Sequence, residues 1–300
     1  MEKFPVKPNF FIIGAPKSGT TALSEYLRQH PNVFFSNPKE PEYFANDFEG
    51  RVISKENDYL KLFKDVEINH HLAIGEGSVL YMFSKNAVST ILQFQNTAKF
   101  IVMLRNPVDL VVSLHAQLLK EGNENIYSFS EAWKAEADRY NGKRIPISCR
   151  DPKWLLYSEW GKLGSQLKRV INIVPEKQLK IILFDDFISN TKSVFKEILE
   201  FLKIPEVIPD KFPKINERRL PKNLFLQNLI AVVMRIWLPL RSKLTGGKGF
   251  GIGGFLSKLN STNATEKISL EEHQMLVEFY SGEILLLEKL LNRNLSSWRE

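Results

Sequence analysis

Residues 10–27 have the sequence FFIIGAPKSGTTALSEYL, and this stretch alone predicts the class of fold. Its first four residues are apolar on both faces, as in a strand of a parallel sheet that helices cover on both sides. Leu23, Tyr26 and Leu27 then follow at helical spacing. A strand that turns through glycines into a helix offers backbone N–H groups and the positive end of a helix dipole to an anion. The stretch therefore predicts an α/β protein with a phosphate-binding loop.

The loop departs from the ATP- and GTP-binding pattern G-x-x-x-x-G-K-[ST] at one decisive position. Gly14 and Gly19 are in place, but Thr20 stands where the pattern requires its lysine, and the lysine is found earlier, at Lys17. A lysine at that earlier position meets a phosphate from another side. This difference disfavours a magnesium-dependent P-loop kinase, which remains the alternative together with a turn that binds no ligand.

Residues 99–113, KFIVMLRNPVDLVVS, predict a second strand-to-helix turn. The strand covers 101–104, Asn106 is suited to the helix N-cap, and Pro107 is suited to the first helical position. Arg105 then projects from the carboxyl end of the strand, where open α/β sheets bind ligands. Ser113 lies in the second turn of the helix and can face the same crevice. A guanidinium fork suits a phosphate because it donates paired, charge-assisted hydrogen bonds.

Together the two segments resemble the phosphate sites of sulfotransferases that use 3′-phosphoadenosine 5′-phosphosulfate (PAPS), in particular the bacterial and heparan-sulfate branches. The resemblance implies a P-loop-like single α/β domain over residues 1–300, with a central parallel sheet flanked by helices. It implies direct in-line transfer of the sulfuryl group to a hydroxyl, or less readily an amine, of a carbohydrate or small molecule. The product would be 3′-phosphoadenosine 5′-phosphate (PAP), and no metal is expected. A non-catalytic nucleotide-binding module is the other alternative. The implied donor contacts are Lys17, Ser18, Gly19, Thr20, Thr21, Ala22, Arg105 and Ser113.

Two glutamates compete for the role of catalytic base. The heparan-type and bacterial branch carries a glutamate shortly before an aromatic pair, and Glu40 in NPKEPEYF fits that position. The resemblance therefore implies that Glu40 accepts the acceptor's proton and that Lys17 stabilises the leaving phosphate. Glu76, in IGEGSVLY, is the rival. Heparan-type enzymes usually have a lysine directly after this second glutamate, where this chain has Gly77.

The later part of the chain contributes less specific signals. Phe184 ends a third predicted strand, 179–184, at the place where related enzymes put an aromatic side chain against adenine. Asp185 and Asp186 follow it and are predicted to cap backbone N–H groups rather than to bind a metal. A glycine-rich stretch over 246–254 contains Lys248, a candidate contact to the 3′-phosphate.

Residues 216–266 are predicted to form a lid or an acceptor-binding segment. They include an apolar run over 224–240 that is interrupted by polar residues and falls short of the roughly 20 apolar residues of a membrane span. We expect a core or lid helix there. A capping box at Ser269 and Glu272 predicts the start of a C-terminal helix.

Composition sets wider limits. The formal net charge is +7 and the pI is near 9.2. The basic residues are dispersed and accompany no nucleic-acid motif, so we expect an anionic donor rather than nucleic acid as the partner. Cys149 is the single cysteine and is predicted to be a packing residue. With no apolar leader evident before the first strand, the sequence predicts a cytoplasmic protein.

Overall fold

A parallel sheet forms the centre of the computed structural model, which describes residues 6–213, 220–224, 226–227, 229–233, 260–262 and 268–300. The strands are β1 (Phe10–Gly14), β2 (Val33–Phe35), β3 (Ala73–Glu76), β4 (Lys99–Leu104) and β5 (Leu179–Leu183). Their order is β2-β3-β1-β4-β5, and every neighbouring pair is parallel. The predicted α/β class with a central parallel sheet is therefore confirmed.

Helices alternate with these strands along the chain. They are α1 (Thr20–Arg28), α2 (Glu56–Leu60), α3 (Leu80–Phe83), α4 (Ala87–Phe94), α5 (Pro107–Glu121), α6 (Phe129–Lys134), α7 (Glu136–Tyr140), α8 (Tyr157–Trp160), α9 (Leu163–Ile171), α10 (Phe184–Ser189), α11 (Thr191–Leu202) and α12 (Leu270–Leu291). Short 3-10 turns cover Lys61–Phe63, Pro152–Leu155, Glu176–Gln178 and Ser296–Arg299. A two-residue pairing joins β6 (Leu220–Pro221) and β7 (Ser261–Thr262).

The chain divides into two compact units. The first comprises Met1–Asn106, Leu163–Asn216 and Gly282–Trp298, and it contains the whole five-stranded sheet. The second comprises Pro107–Lys162, Glu217–Ser281 and Arg299–Glu300. The single domain predicted over 1–300 stays a prediction.

Both faces of the sheet are covered, as the apolar strands predict. On one face, alternate residues of β1 and β4 enter a cluster that α1, α10 and α11 complete. Its wholly buried members include Phe10, Ile12, Leu23, Ile101, Met103, Phe195 and Ile198. On the other face, Phe11 stacks on Phe100 and meets the edge of Phe44, each at a ring-centroid distance of 6.0 Å. Because side chains of a strand alternate between faces, β1 is buried from both sides.

The order of the strands creates a switch point between β1 and β4. The chain leaves β1 towards β3 and β2 on one side, and it leaves β4 towards β5 on the other. The connections that follow the carboxyl ends of β1 and β4 therefore run in opposite directions. Open α/β sheets bind ligands in the crevice that such a divergence leaves.

The second unit contains a buried ion pair. Arg139 Nη2 lies 2.7 Å from Glu124 Oε2, and neither side chain is exposed. The Tyr157 hydroxyl also donates to Glu124 Oε2, at 2.7 Å. His115, wholly buried, places Nε2 2.9 Å from the Ile126 carbonyl oxygen, as expected for a packing histidine.

The described residues of the apolar run 224–240 are helical, as predicted, and whether this helix belongs to a core or a lid stays a prediction. Leu226 and Leu229 are about half exposed, whereas Gln227 is buried and donates to the Lys120 carbonyl. The polar residue is buried because its amide has a backbone partner. Residues 234–240 of this run lie outside the described residues. No helix in the described ranges is both long and apolar enough to cross a membrane.

Candidate active site

The loop between β1 and α1 is tied to the neighbouring strand at its start. The Ala15 N–H donates to the Met103 carbonyl of β4 at 2.7 Å. Gly14 must be glycine here, because its φ is +146° and a Cβ would lie 2.9 Å from the Met82 Cβ. The buried Ser18 hydroxyl donates to the Pro16 carbonyl at 3.3 Å. The loop is thus held in a defined shape at the carboxyl end of β1.

The N-terminus of α1 is built without a side-chain cap. Gly19 is the N-cap residue, with a left-handed φ of 87°, so this position offers no side-chain acceptor to the first turn. Thr20, Thr21 and Ala22 form that turn, and the first N–H groups of a helix have no acceptor within the helix. The residues suit a phosphate oxygen, because the backbone donors lie at the positive end of the helix dipole and the first turn carries two threonines.

Arg105 and Phe184 lie against this loop, and their role in donor binding stays a prediction. Arg105 Nη1 donates to the Lys17 carbonyl at 3.3 Å, and its guanidinium carbon lies 5.0 Å from the centroid of the Phe184 ring. A Cβ on Gly19 would come within 3.0 Å of the same ring. Phe184 begins α10 rather than ending β5, so the predicted strand is one residue too long.

C-terminal residues bond to the residues that follow β4 and β5. The Trp298 indole donates to Asp185 Oδ2 at 2.9 Å, and the Asn106 amide donates to the Trp298 carbonyl at 3.2 Å. Arg293 pairs with Asp186 through both carboxylate oxygens. The prediction that the two aspartates cap α10 is therefore wrong. No side chain caps its N-terminus within the described structure, because partners distant in sequence engage both carboxylates.

Glu40 lies beside the phosphate loop and retains access to solvent. Its side chain is 32% exposed, and Oε1 lies 2.7 Å from the Lys39 ammonium. Oε2 accepts from the Val79 N–H at 3.5 Å. Lys39 Nζ donates in turn to Thr20 Oγ1 at 3.3 Å. A carboxylate of this kind, oriented by a cation and open on one side, can accept a proton.

Glu76 has a different setting, since it is wholly buried. Its Oε1 accepts from the Tyr59 and Tyr81 hydroxyls at 3.1 and 2.7 Å, and its Oε2 accepts from the Ser78 hydroxyl at 2.6 Å. Burial raises the pKa of this carboxyl to about 7, and the three hydroxyl donors oppose that rise. Glu76 therefore lies where an acceptor in solvent does not reach it.

The same hydroxyls support the segment that follows Glu40. Ser78 Oγ accepts from the Glu42 N–H at 3.0 Å, and the Tyr81 oxygen accepts from the Phe44 N–H at 3.4 Å. Glu76 thus positions the backbone next to Glu40 through two intermediates. Sequence reasoning missed Lys39 and this tyrosine network, because neither has a local pattern.

The remaining predicted residues are distributed as follows. Ser113 is buried in α5, which belongs to the second unit, and its role in phosphate binding stays a prediction. Lys248 lies outside the described residues. Cys149 is buried, and burial raises the pKa of its thiol to about 11, as expected for a packing residue rather than a nucleophile.

A glycine-containing strand-to-helix loop lies at the switch point of a parallel sheet, with an arginine directly after the adjacent strand, and open α/β proteins bind ligands at this place. The sequence matches the family model described as "Sulfotransferase domain" over residues 7–219. The chain therefore belongs to the sulfotransferase domain family, and the resemblance found from the two phosphate segments is confirmed.

Individual relatives agree with this membership. The chain is similar to human carbohydrate sulfotransferase 15, with 26% identity over 267 residues that cover 71% of this chain and 47% of that protein. It is similar to human heparan sulfate glucosamine 3-O-sulfotransferase 3B1, with 24% identity over 71% of this chain and 50% of the relative. The chain thus spans about half the length of these curated relatives. A crystal structure of a sulfotransferase from Alicyclobacillus acidocaldarius aligns with a TM-score of 0.73 and 26% identity, covering 98% of this chain and 100% of the other.

Proposed function

We propose that this protein transfers the sulfuryl group of PAPS to a hydroxyl of a carbohydrate or small-molecule acceptor. The observation that carries the proposal is the contact of Arg105 with the phosphate loop, at 3.3 Å from the Lys17 carbonyl. It brings the two predicted phosphate sites to neighbouring carboxyl ends of β1 and β4. Names of relatives such as human carbohydrate sulfotransferase 15 support a carbohydrate as the first acceptor class to test.

The charges and hydrogen-bond donors of these residues support PAPS as the donor. PAPS supplies an activated sulfuryl group on a 5′-phosphate and carries a 3′-phosphate that ordinary adenine nucleotides lack. The loop Lys17–Thr21 and the start of α1 would hold the 5′-phosphosulfate, since they combine a lysine, hydroxyls and a helix N-terminus. Arg105 would hold the 3′-phosphate, and Phe184 would lie against the adenine. Ser113 and Lys248 are assigned to the same phosphate from sequence alone.

The proposed reaction is a direct displacement at sulfur. Glu40 takes the proton of the acceptor hydroxyl, whose oxygen forms a bond to sulfur while the bond from sulfur to the 5′-phosphate oxygen breaks. Lys17 donates to that leaving oxygen and so stabilises the charge that develops on it. PAP and the sulfated acceptor leave. That transfer needs no metal stays a prediction.

The test is a calorimetric titration with PAP, 5′-AMP, ADP and ATP, each with and without magnesium. We expect PAP to bind most tightly, with an affinity that depends on the 3′-phosphate and not on magnesium. Labelled PAPS would then be offered with a panel of oligosaccharides and phenols, and sulfated products identified by mass. A preference for magnesium-ATP would favour the kinase alternative, and PAP binding without any sulfated product across a broad panel would favour a binding module.

A further inference from the structure

Lys39 joins the phosphate loop to the proposed base. Its ammonium donates to Thr20 Oγ1 at 3.3 Å and to Glu40 Oε1 at 2.7 Å. Only 13% of the Lys39 side chain is exposed, so solvent screens its charge less than that of a surface lysine. The ammonium therefore lies between a loop hydroxyl and the carboxylate, within hydrogen-bond distance of both.

Gly77 provides the space that the Lys39 side chain fills. A Cβ at Gly77 would lie 3.2 Å from Lys39 Cε, 3.5 Å from Lys39 Cγ and 3.2 Å from Phe35 Cζ. The Gly77 N–H also donates to the Lys39 carbonyl at 2.9 Å, which fixes the backbone of both residues. Gly77, buried at the end of β3, thus allows the aliphatic part of Lys39 to pack over the backbone. The ammonium is placed by packing on one side and by hydrogen bonds on the other.

We propose that Lys39 is a further catalytic residue, a second cation that binds the oxygens of the sulfuryl group in transfer. The proposal rests on the proposed function. In an in-line displacement the sulfur lies between the acceptor oxygen and the leaving phosphate oxygen. The base contacts the first and the phosphate loop holds the second, so a cation bonded to both base and loop lies beside the sulfur. Lys39 would bind the group that moves, whereas Lys17 would bind the phosphate that stays with PAP.

A comparison of two ligands separates this role from a structural one, because PAPS carries the sulfuryl group and PAP does not. In Lys39→Met, which keeps most of the side-chain length and removes the charge, we expect PAP affinity to stay within about twofold of wild type. PAPS affinity without acceptor should fall roughly 10- to 100-fold, the range for loss of a charged hydrogen bond. The matched control is Lys61→Met, at a lysine that is 71% exposed. Equal effects of Lys39→Met on PAP and PAPS, or none on either, would overturn the assignment.

A second variant tests the proposal independently in case Lys39→Met does not fold. Gly77→Ala keeps the lysine but places a methyl group 3.2 Å from Lys39 Cε, so the side chain has to shift by a few tenths of an ångström. We expect a smaller loss of PAPS affinity, about threefold to tenfold, with PAP affinity unchanged. Unchanged affinity for PAPS would contradict the proposal. If the wild-type protein binds neither PAP nor PAPS, the proposed function itself is contradicted. If the wild-type protein binds both, the variants test only the role of Lys39.

Discussion

The Trp298 indole N–H donates to Asp185 Oδ2 at 2.9 Å, which joins the last turn of the chain to the residue that follows Phe184. The Trp298 carbonyl accepts from Asn106, the neighbour of Arg105. Trp298 is 4% exposed. One C-terminal residue therefore contacts the neighbours of two proposed donor-binding side chains.

We expect Trp298→Phe to lower the free energy of unfolding by about 1 kcal/mol, because it removes one hydrogen bond and keeps most of the packing. Trp298→Ala should cost about 3–5 kcal/mol, since it also leaves a cavity. Both values can be measured by urea unfolding. Asp185→Asn is the control: it retains an acceptor oxygen for the indole, and its stability should stay near wild type. A loss in Asp185→Asn as large as in Trp298→Ala would contradict this account.

Arg105→Lys should separate charge from geometry at the proposed 3′-phosphate site. Lysine keeps the positive charge but loses the guanidinium fork that lies 5.0 Å over Phe184. We expect PAP affinity to fall roughly tenfold or more while 5′-AMP affinity changes less than about twofold, as measured by calorimetry. The control is Arg144→Lys, at an exposed pair with Asp138. Parallel losses for PAP and 5′-AMP would move Arg105 away from the 3′-phosphate.

Glu40→Gln should keep donor binding and lose transfer. The amide cannot take a proton from the acceptor, and we expect the turnover number to fall roughly 10²- to 10⁴-fold. The measurement uses the acceptor that the panel identifies, with PAP affinity determined in parallel. Glu76→Gln is the matched comparison, because Glu76 is buried and we expect it to retain a rate within about tenfold of wild type. The reverse ranking of the two variants would assign the base to Glu76.

Glu76 should also make stability depend on pH. Burial raises the pKa of this carboxyl from 4.5 to about 7, so the folded state holds the proton more tightly than the unfolded state does. Stabilisation from this group is then complete below pH 4.5 and is lost as the pH rises through 7. Relative to Glu76→Gln, wild type should lose up to about 3 kcal/mol between pH 4.5 and pH 8.

The measurement is the urea midpoint of unfolding for wild type and for Glu76→Gln at several pH values between 4.5 and 8. Glu76→Gln should be close to wild type at low pH, where both side chains are neutral. Curves that stay parallel from pH 4.5 to pH 8 would show that the Glu76 carboxyl titrates alike in the folded and unfolded states.

Local patterns were sufficient for the elements that carry the phosphate loop. The apolar run before Gly14 forms β1, the helical spacing of Leu23 and Leu27 forms α1, and Pro107 begins α5 as predicted. The capping box is also present, since the Ser269 N–H donates to Glu272 and the Glu272 N–H donates to Ser269 Oγ. These features depend on residues that are close in sequence, so local sequence patterns are enough to predict them.

Contacts between distant residues could not be predicted in the same way. The local pattern at Asp185 and Asp186 predicts helix caps, but Trp298 and Arg293 engage them through a C-terminal segment more than a hundred residues away. Gln227 lies in an apolar stretch of sequence, yet this polar residue is buried. Its side-chain amide donates to a backbone carbonyl of α5.

The sequence by itself determined the parallel α/β class, the strand-to-helix loop at Lys17–Thr21 and the place of Arg105 after a strand, because each follows from local periodicity and turn chemistry. Only the tertiary structure decided that Glu76 is buried among hydroxyls while Glu40 stays accessible, and that Lys39 bridges Glu40 and Thr20. The physical reason is that burial and charge pairing depend on which strands become neighbours. The residues next to a glutamate in the sequence do not reveal whether its carboxylate will be buried or paired with a cation.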